Sequence, residues 1–416
     1  MGMSALAHIL IDKGSPVSGE DQTQSAIVKH LAKRGAVISD VWHPESKIVY
    51  SSAIPYNHPR LCLARDMGCV IYHRSQLLKK LMRKKDKWLI AGVHGKTSTS
   101  ALLTWVLLAN HGHPSYAVGG ILKNTHKNGG HGRGQLFVAE ADESDGSFLD
   151  YAGGNAILTS LGKEHLDFWQ TEEKLIKGFH TFAQKVSHLF WCIDDPILRD
   201  LKLSGETYGR SNRADWRLLD TEQSEEGLLF SIAHRGKVFD EITLPLIGEY
   251  QALNACGVWA AAHRLGLSEN NVRQAFITFA GVKRRLEKKG KIGGVTVYDD
   301  YAHHPTEIKL MLTSLKRSVG DRRVIAIFQP HRYHRIREFW DSFAHAFDAA
   351  DVVYVTEIYS AGEKPLKGIS GKTLCACIPN GVWLERLPAF QSGDVVVTIG
   401  AGDITYLGSH ILERLV

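Results

Sequence analysis

WLIAGVHGKTST, residues 88–99, decides the fold. Its apolar opening reads as a buried strand, its two glycines as a tight loop, and Lys96 and Thr97 as the start of a helix that runs on through the apolar stretch 101–109. Gly92 and Gly95 let backbone N–H groups come close to phosphate oxygens, and the positive end of the following helix favours the anion. Lys96 offers a mobile charge for the outer phosphates, and the Thr97 hydroxyl can ligate the magnesium that accompanies them. The spacing is GxxGKT, tighter than the familiar GxxxxGK[ST]. A strand before it and a helix after it separate a nucleoside-triphosphate loop from a glycine turn beside a solvated lysine. Gly92, His94, Gly95, Lys96, Thr97 and Ser98 are therefore the candidate nucleotide-binding residues.

A chain of 416 residues exceeds one ordinary core and predicts two or three compact units. With 44% hydrophobic and 23% charged residues it has the composition of a soluble globular protein. The apolar stretch 101–109, interrupted by Thr104, is far too short to span a membrane, and no cationic and apolar leader opens the chain, so a cytoplasmic protein is expected. Six cysteines lie scattered without a CxxC pair, which reads as reduced thiols. The net charge of +6 is not gathered into a basic tract interleaved with aromatics, which argues against nucleic acid; spread over several sites, it suits a substrate with several phosphates or carboxylates. Nothing in the composition speaks to oligomeric state.

Strands alternate with helical stretches nearly throughout, the pattern of parallel α/β layers. A first unit, 1–86, should hold helices at 3–13 and 26–34 and short strands at 36–39, 47–51 and 69–72, with the charged stretch 84–87 as a linker. A second, 87–284, contains the phosphate loop, strands at 135–140 and 156–160, a strand-rich insertion at 216–245 and a helix at 251–265. A third, 285–416, has four apolar strands at 295–298, 324–328, 352–356 and 395–399, each followed by polar or glycine residues. Ligands bind where parallel strands deliver their carboxyl ends, so these four strand ends should form one face of an active site.

Three constellations carry chemistry. The strand at 135–140 runs into Glu140, Asp142, Glu143 and Asp145, whose mutual repulsion calls for a cation nearby, and a magnesium shared with Lys96 and Thr97 is the natural candidate. His165 follows the strand at 156–160 and could bind a second metal. In the third unit Asp299, Asp300, Tyr301, His303, His304 and Glu307 crowd together; adjacent histidines point in different directions, so substrate contact and structural hydrogen bonding outweigh metal binding. His331, Arg332 and Arg335 end the next strand, and arginine forks suit an anionic second substrate.

Taken in order, GVHGKTSTS (92–100), AEADESDGSF (139–148), LNA (253–255), GVKRRLE (281–287), DDYAHHPTEI (299–308), FQPHRYHR (328–335), EIYSAGEKP (357–365) and GAGDI (400–404) resemble the Mur ligase family over nearly the whole chain. The resemblance implies three α/β domains, with Rossmann-like first and third domains around a central P-loop ATPase domain, and an ATP- and magnesium-dependent ligase of peptidoglycan precursor synthesis. EADESDGSF and DDYAHHPTE look like the members that add L-alanine to UDP-N-acetylmuramic acid through an acyl phosphate. It implies Lys96 and Thr97 on the phosphates and magnesium, Glu140 as a magnesium ligand, and His165 as ligand of a second one. It also implies Asn254 and the Asp300 region on the nucleotide, and His303, Arg332 and Arg335 around the acyl phosphate and the amino acid. Such ligases close the third domain over the other two and keep water from the intermediate.

The chain departs from the family pattern at three places. Related chains begin with a strand and a GIGGIGMS-type loop for the UDP-sugar phosphates, whereas this sequence starts at Met1-Gly-Met-Ser, so that loop is expected to be missing and a mis-set start codon is the leading explanation. The family's TNIExDHLD stands here as 159–167 with Ser160, Gly162 and Glu164 in place of Asn, Glu and Asp, while His165 and Asp167 are kept. Tyr250-Gln251 replaces an expected His-Asn before the nucleotide helix. Lys185, near enough to consider as a carbamylated magnesium holder, has no supporting motif. Two other readings follow: a recycling ligase that attaches a whole tripeptide to the same sugar, against which EADESDGSF argues, and a nucleotide-binding remnant without ligase activity. A GTPase is disfavoured by the absence of an NKxD motif.

Overall fold

Ser4, Ala5, Leu6, His8 and Ile9 are the buried residues of the opening helix Gly2–Asp12, which lays this face on the edge of the largest sheet. A Cβ on Gly129 of that edge strand would come within 2.3 Å of the Ala5 carbonyl oxygen, so only glycine admits this approach. The computed structural model describes residues 1–21, 23–41, 45–151 and 153–415, without the side chain of Asp167. Chain contacts divide it into two units, one of residues 1–220, 230–242 and 252–280, the other of 221–229, 243–251 and 281–416.

In the first unit the strands expected near the start form short parallel pairs, Val37–Ile38 with an unexpected Ser18–Gly19, and Ile48–Tyr50 with Ile71–His73. Two helices there escape sequence periodicity. Pro59–Asp66 buries only Leu61 and Ala64, and Arg74–Met82 is set by a capping box between His73 and Gln76. Of the charged stretch 84–87 only Lys84 and Lys85 connect, in a turn. Asp86 already opens the strand Asp86–Ala91, its N–H donating to the Gln135 carbonyl at 2.9 Å, and the Lys85 ammonium donates to the Gly134 carbonyl. The ladder outruns the apolar residues because its first two side chains lie outside the core.

Asp86–Ala91 sits inside the ten-stranded sheet, between Asn155–Leu158 and Leu136–Glu140, parallel to both. Trp88, Leu89, Ile90 and Ala91 are all fully buried, which is why the run is continuously apolar rather than alternating. Ser115–Leu122 follows in parallel and Lys127–Gly130 closes that edge antiparallel. On the other side come His188–Cys192, Glu206–Gly209 and Trp216–Gln223, then Leu228–His234 and Lys237–Leu244 from the insertion.

The second unit holds a six-stranded sheet in the order Glu287–Ile292, Val295–Asp300, Val395–Ile399, Val324–Phe328, Val352–Val355, Gly381–Trp383, parallel except for its first pair. The four expected apolar strands are adjacent here and deliver their carboxyl ends to one edge. Helix Pro305–Val319 covers the sheet with Ile308, Met311, Leu312, Leu315 and Val319, which meet Phe328, Phe343 and Phe347 in one core. Among the described residues no helix is long and apolar enough to cross a membrane.

Candidate active site

The phosphate loop begins where Ala91 leaves the sheet. Gly92 has φ +126° and Gly95 φ +86°, and a Cβ on either would collide, with Thr159 Oγ1 at 2.3 Å or with Asn254 Oδ1 at 2.8 Å. The next strand end supports the loop: Thr159 Oγ1 donates to the His94 carbonyl (2.5 Å), Ser160 Oγ accepts from His94 N–H (3.0 Å), and the Ser160 carbonyl accepts from Val93 N–H (2.8 Å). Helix Lys96–Ala109 then starts with Thr97 and Ser98 buried at its amino end. The Lys96 ammonium donates to the Gly92 carbonyl (2.6 Å), the Val93 carbonyl (3.2 Å) and Glu143 Oε1 (2.9 Å), folded over the loop it serves.

Glu140 accepts from the Thr97 hydroxyl at 3.0 Å and from Gly119 N–H at 2.8 Å. Glu143 is fully buried, and burial pushes its carboxyl up to about 7 against the pull of Lys96. Burial opposes charge on Lys96 as well, yet Glu143, Asp142 and Glu140 outweigh it and hold the ammonium well above the usual lysine range. His165, at a left-handed turn (φ +54°), brings Nε2 to 3.8 Å from Glu143 Oε1. Asp142 and Asp145 turn instead to Arg74, whose Nη2 donates to them at 3.0 and 2.9 Å. Burial raises Asp145, but hydrogen bonds from Ser147 and Ser52 and the charge of Arg74 bring it down to about 2.

In the second unit the strand ends do the following. Asp299 is consumed by the Thr398 (2.8 Å) and Thr405 (2.6 Å) hydroxyls. Asp300 accepts from Leu286 N–H (2.6 Å) and Ala302 N–H (2.7 Å), and burial raises it to about 6. His304 is buried, accepts from Thr306 N–H at the start of Pro305–Val319 and packs its ring on Phe339, whereas His303 faces His331 with ring centres 6.0 Å apart. His331 stacks on Tyr359 and lies 3.3 Å from Arg335 Nη1. Arg332, at φ +69°, donates from its backbone N–H to the Tyr359 carbonyl (2.9 Å) and from Nε to Glu363 (2.7 Å). Arg284 reaches the carbonyls of Gly400 and Gly402 and lies over the Tyr301 ring.

Three domain families match the chain in sequence: the catalytic domain of the Mur ligase family over residues 1–86, the Mur ligase middle domain over 90–262, and the Mur ligase glutamate ligase domain over 284–402. A UDP-N-acetylmuramate--L-alanine ligase of Protochlamydia amoebophila is 38% identical over 436 residues, covering all of this chain and 96% of the relative. The chain belongs to the Mur ligase family. A protein of the same name from Anaeromyxobacter is 39% identical over 439 residues, again covering all of this chain and 96% of the relative. The solved UDP-N-acetylmuramate-alanine ligase of Thermotoga maritima superposes with a TM-score of 0.87 at 26% identity, covering 99% of this chain and 96% of that one.

In this Mur ligase of three α/β domains, Lys96, Thr97 and Glu140 share one cluster, with His165 reaching it through Glu143 and Asn254 lying against Gly95. His303, Arg332 and Arg335 share a second cluster around His331 and Tyr359. Asp300 spends both carboxylate oxygens on backbone amides, and Lys185 donates to the Leu149 carbonyl at 2.8 Å. The side chain of Asp167 lies outside the described residues. Sequence reasoning missed Arg74, the pairing of Glu143 with Lys96, and Glu363 as the partner of Arg332. Glu143 and Glu363 stand in the motifs DESD and EIYSAGEKP, which do not say which cation each meets; Arg74 stands in no motif.

Proposed function

We propose that this Mur ligase joins L-alanine to the carboxylate of UDP-N-acetylmuramate, converting ATP to ADP and phosphate, in the cytoplasm. The observation that carries the reading is the match, along the whole chain, to ligases of that name. A substrate carboxylate oxygen bonds to the γ-phosphorus as ADP departs. The alanine nitrogen then bonds to the acyl carbon, losing a proton, and the carbon–oxygen bond to phosphate breaks.

The loop geometry suits the first step. Backbone N–H groups at Gly92, Gly95 and Ser98 would hold the phosphates, with His94 fixing the loop between them through Thr159 and Ser160, and Lys96 would leave Glu143 and its own loop carbonyls for the transferring phosphoryl group. Among the described residues no three acidic, histidine or cysteine side chains form a ready metal cage. Magnesium does not require one, since it takes one or two carboxylates together with phosphates and water. Thr97 Oγ1 and Glu140 Oε2 lie 3.0 Å apart, which matches neighbouring ligands of an octahedral ion with bonds of about 2.1 Å. Bound there, magnesium would neutralise charge on the reacting phosphates. His165 is the candidate ligand for a second ion beside Glu143. We assign Asn254 to the nucleotide and Asp300 to shaping the loop that meets it. His303, Arg332 and Arg335 take the anionic groups of the acyl phosphate and the amino acid. The domain limits that follow are 1–86 for the UDP-sugar, 87–284 for ATP and 285–416 for the amino acid.

The test is phosphate release by the purified chain with ATP and Mg2+, with UDP-N-acetylmuramate and L-alanine supplied singly and together, and with tripeptide in place of alanine. Release that requires both substrates and prefers alanine is expected. ATP binding without alanine-dependent release would overturn the reading.

A further inference from the structure

The acidic loop after Leu136–Glu140 has two anchors, and the phosphate loop supplies only one of them. Glu143 is pinned from the phosphate-loop side, by Lys96 at 2.9 Å and through its carbonyl oxygen by Trp169 Nε1 at 2.9 Å. The residues flanking it are pinned by Arg74. Asp142 uses Oδ1 to accept from Ser144 N–H (3.0 Å) and Oδ2 to accept from Arg74 (3.0 Å). Asp145 uses Oδ1 for Ser147 N–H (3.1 Å) and Oδ2 for Arg74 (2.9 Å) and Ser52 Oγ (2.5 Å). Each aspartate thus fixes its own turn with one oxygen and is held from outside with the other.

The place of Arg74 is not explained by its own helix. It is the first residue of Arg74–Met82, where a cation opposes the helix dipole, and its side chain is only 17% exposed. What justifies a buried cation there is the pair of carboxylates opposite. Four carboxylates in this loop face two cations, Lys96 and Arg74. Without Arg74, Asp142 and Asp145 would lose their outer partner, and the loop that presents Glu140 and Glu143 would lose its second anchor.

We infer that Arg74, resting on the function proposed above, is a positioning residue for the phosphate site: it holds Asp142 and Asp145 from the outer side of the acidic loop and so sets Glu140 and Glu143 where nucleotide and magnesium would meet them. The group touches no reacting atom; it acts through the acidic loop.

The experiment measures binding of MgADP to the full chain by calorimetry, beside steady-state turnover, for Arg74→Ala and Arg74→Lys. Arg74→Ala should weaken MgADP about tenfold and lower kcat, with millimolar guanidinium restoring part of both. Arg74→Lys, a point charge without the fork, should fall between it and the unaltered chain. A folded Arg74→Ala with unchanged MgADP affinity overturns the inference. So does a loss that neither guanidinium nor lysine relieves, since that marks a merely structural role. If Arg74→Ala does not fold, Asp145→Asn, which keeps the side-chain volume, should weaken MgADP in the same direction, and unchanged affinity there overturns the inference equally. Failure of the functional reading looks different: the unaltered chain would then show no alanine-dependent phosphate release, while MgADP binding would still report on Arg74.

Discussion

The two clusters of strand ends handle charge differently. In the first unit every acidic residue of the loop meets a donor from the protein: Glu143 meets Lys96, Asp142 and Asp145 meet Arg74, and Glu140 meets Thr97. In the second unit the carboxylates of Asp299 and Asp300 are turned onto threonine hydroxyls and backbone amides. Around His331 stand His303, Arg332, Arg335 and Arg284, of which Arg332 is answered by Glu363, Arg284 by Asp299 at 3.6 Å and His303 by Glu307 at 3.8 Å. The first site is balanced before any ligand arrives and suits a nucleotide that brings its own cation. The second sets arginine forks at a strand end, and such forks suit ligands that are themselves anions.

The largest effect should come from breaking the balance in the first unit. Lys96→Ala removes the only cation that touches both the loop carbonyls and Glu143 among the described hydrogen bonds. Turnover should fall by roughly 10²–10³-fold or more, because a charge aimed at the developing phosphoryl oxygens is gone. The variant should also lose stability, since Glu143 stays buried without its partner, a change worth about 3–5 kcal/mol in such pairs. Stopped phosphate-release assays and urea melts read both. A near-normal rate would show that the balanced site is not the reacting one.

A smaller effect is expected in the second unit from Arg332→Lys. The substitution keeps the charge that the comparison emphasises but removes the planar fork and the Nε contact to Glu363. Turnover at low alanine should drop about tenfold, with stability changed by less than ~0.5 kcal/mol. An unchanged alanine response would mean that positive charge alone, not fork geometry, is what this cluster supplies.

How far each cluster was legible follows from the length of chain its contacts span. The phosphate loop was readable because strand, glycines, lysine and helix are contiguous, and four of the six strands of the second sheet because Val295–Asp300, Val324–Phe328 and Val395–Ile399 are buried throughout and Val352–Val355 is half-buried, so that VTVY, VIAIF, VVVTI and VVYV are mostly apolar. The need for a cation at the acidic loop was also readable, from the repulsion of four neighbouring carboxylates. That the protein itself supplies two of them was not. Arg74 stands 68 residues from Asp142 and 71 from Asp145, and Lys96 stands 47 from Glu143, separations at which one sequence carries no pairing signal. The charged stretch 84–87 was half misread for a related reason: the backbone of Asp86 and Lys87 belongs to a strand while their side chains lie outside the core.

The smallest effect, and the one that reads the basic groups of the second cluster most directly, is the pH dependence of stability at His331. Burial first, then the charges of His303, Arg335, Arg332 and Arg284, press its imidazole down to about 3. Between about 3 and the ordinary histidine value of ~6.5 the unfolded chain binds a proton there that the folded chain refuses. The unfolded state therefore holds more protons in that window, and stability must rise with pH through it and level off above ~6.5, at a slope of at most ~1.4 kcal/mol per pH unit for one group. Because His8, pressed down to about 4 chiefly by its burial, contributes with the same sign, the slope of the unaltered chain alone does not isolate the effect. The difference between it and His331→Asn does: urea melts from pH 4 to 7.5 should show a shallower rise in the variant, by less than the single-proton limit because the ring is partly open to water. Parallel curves would mean that His331 protonates freely in the folded chain, and that the neighbouring arginines and histidine do not raise the potential at this strand end as their placement requires.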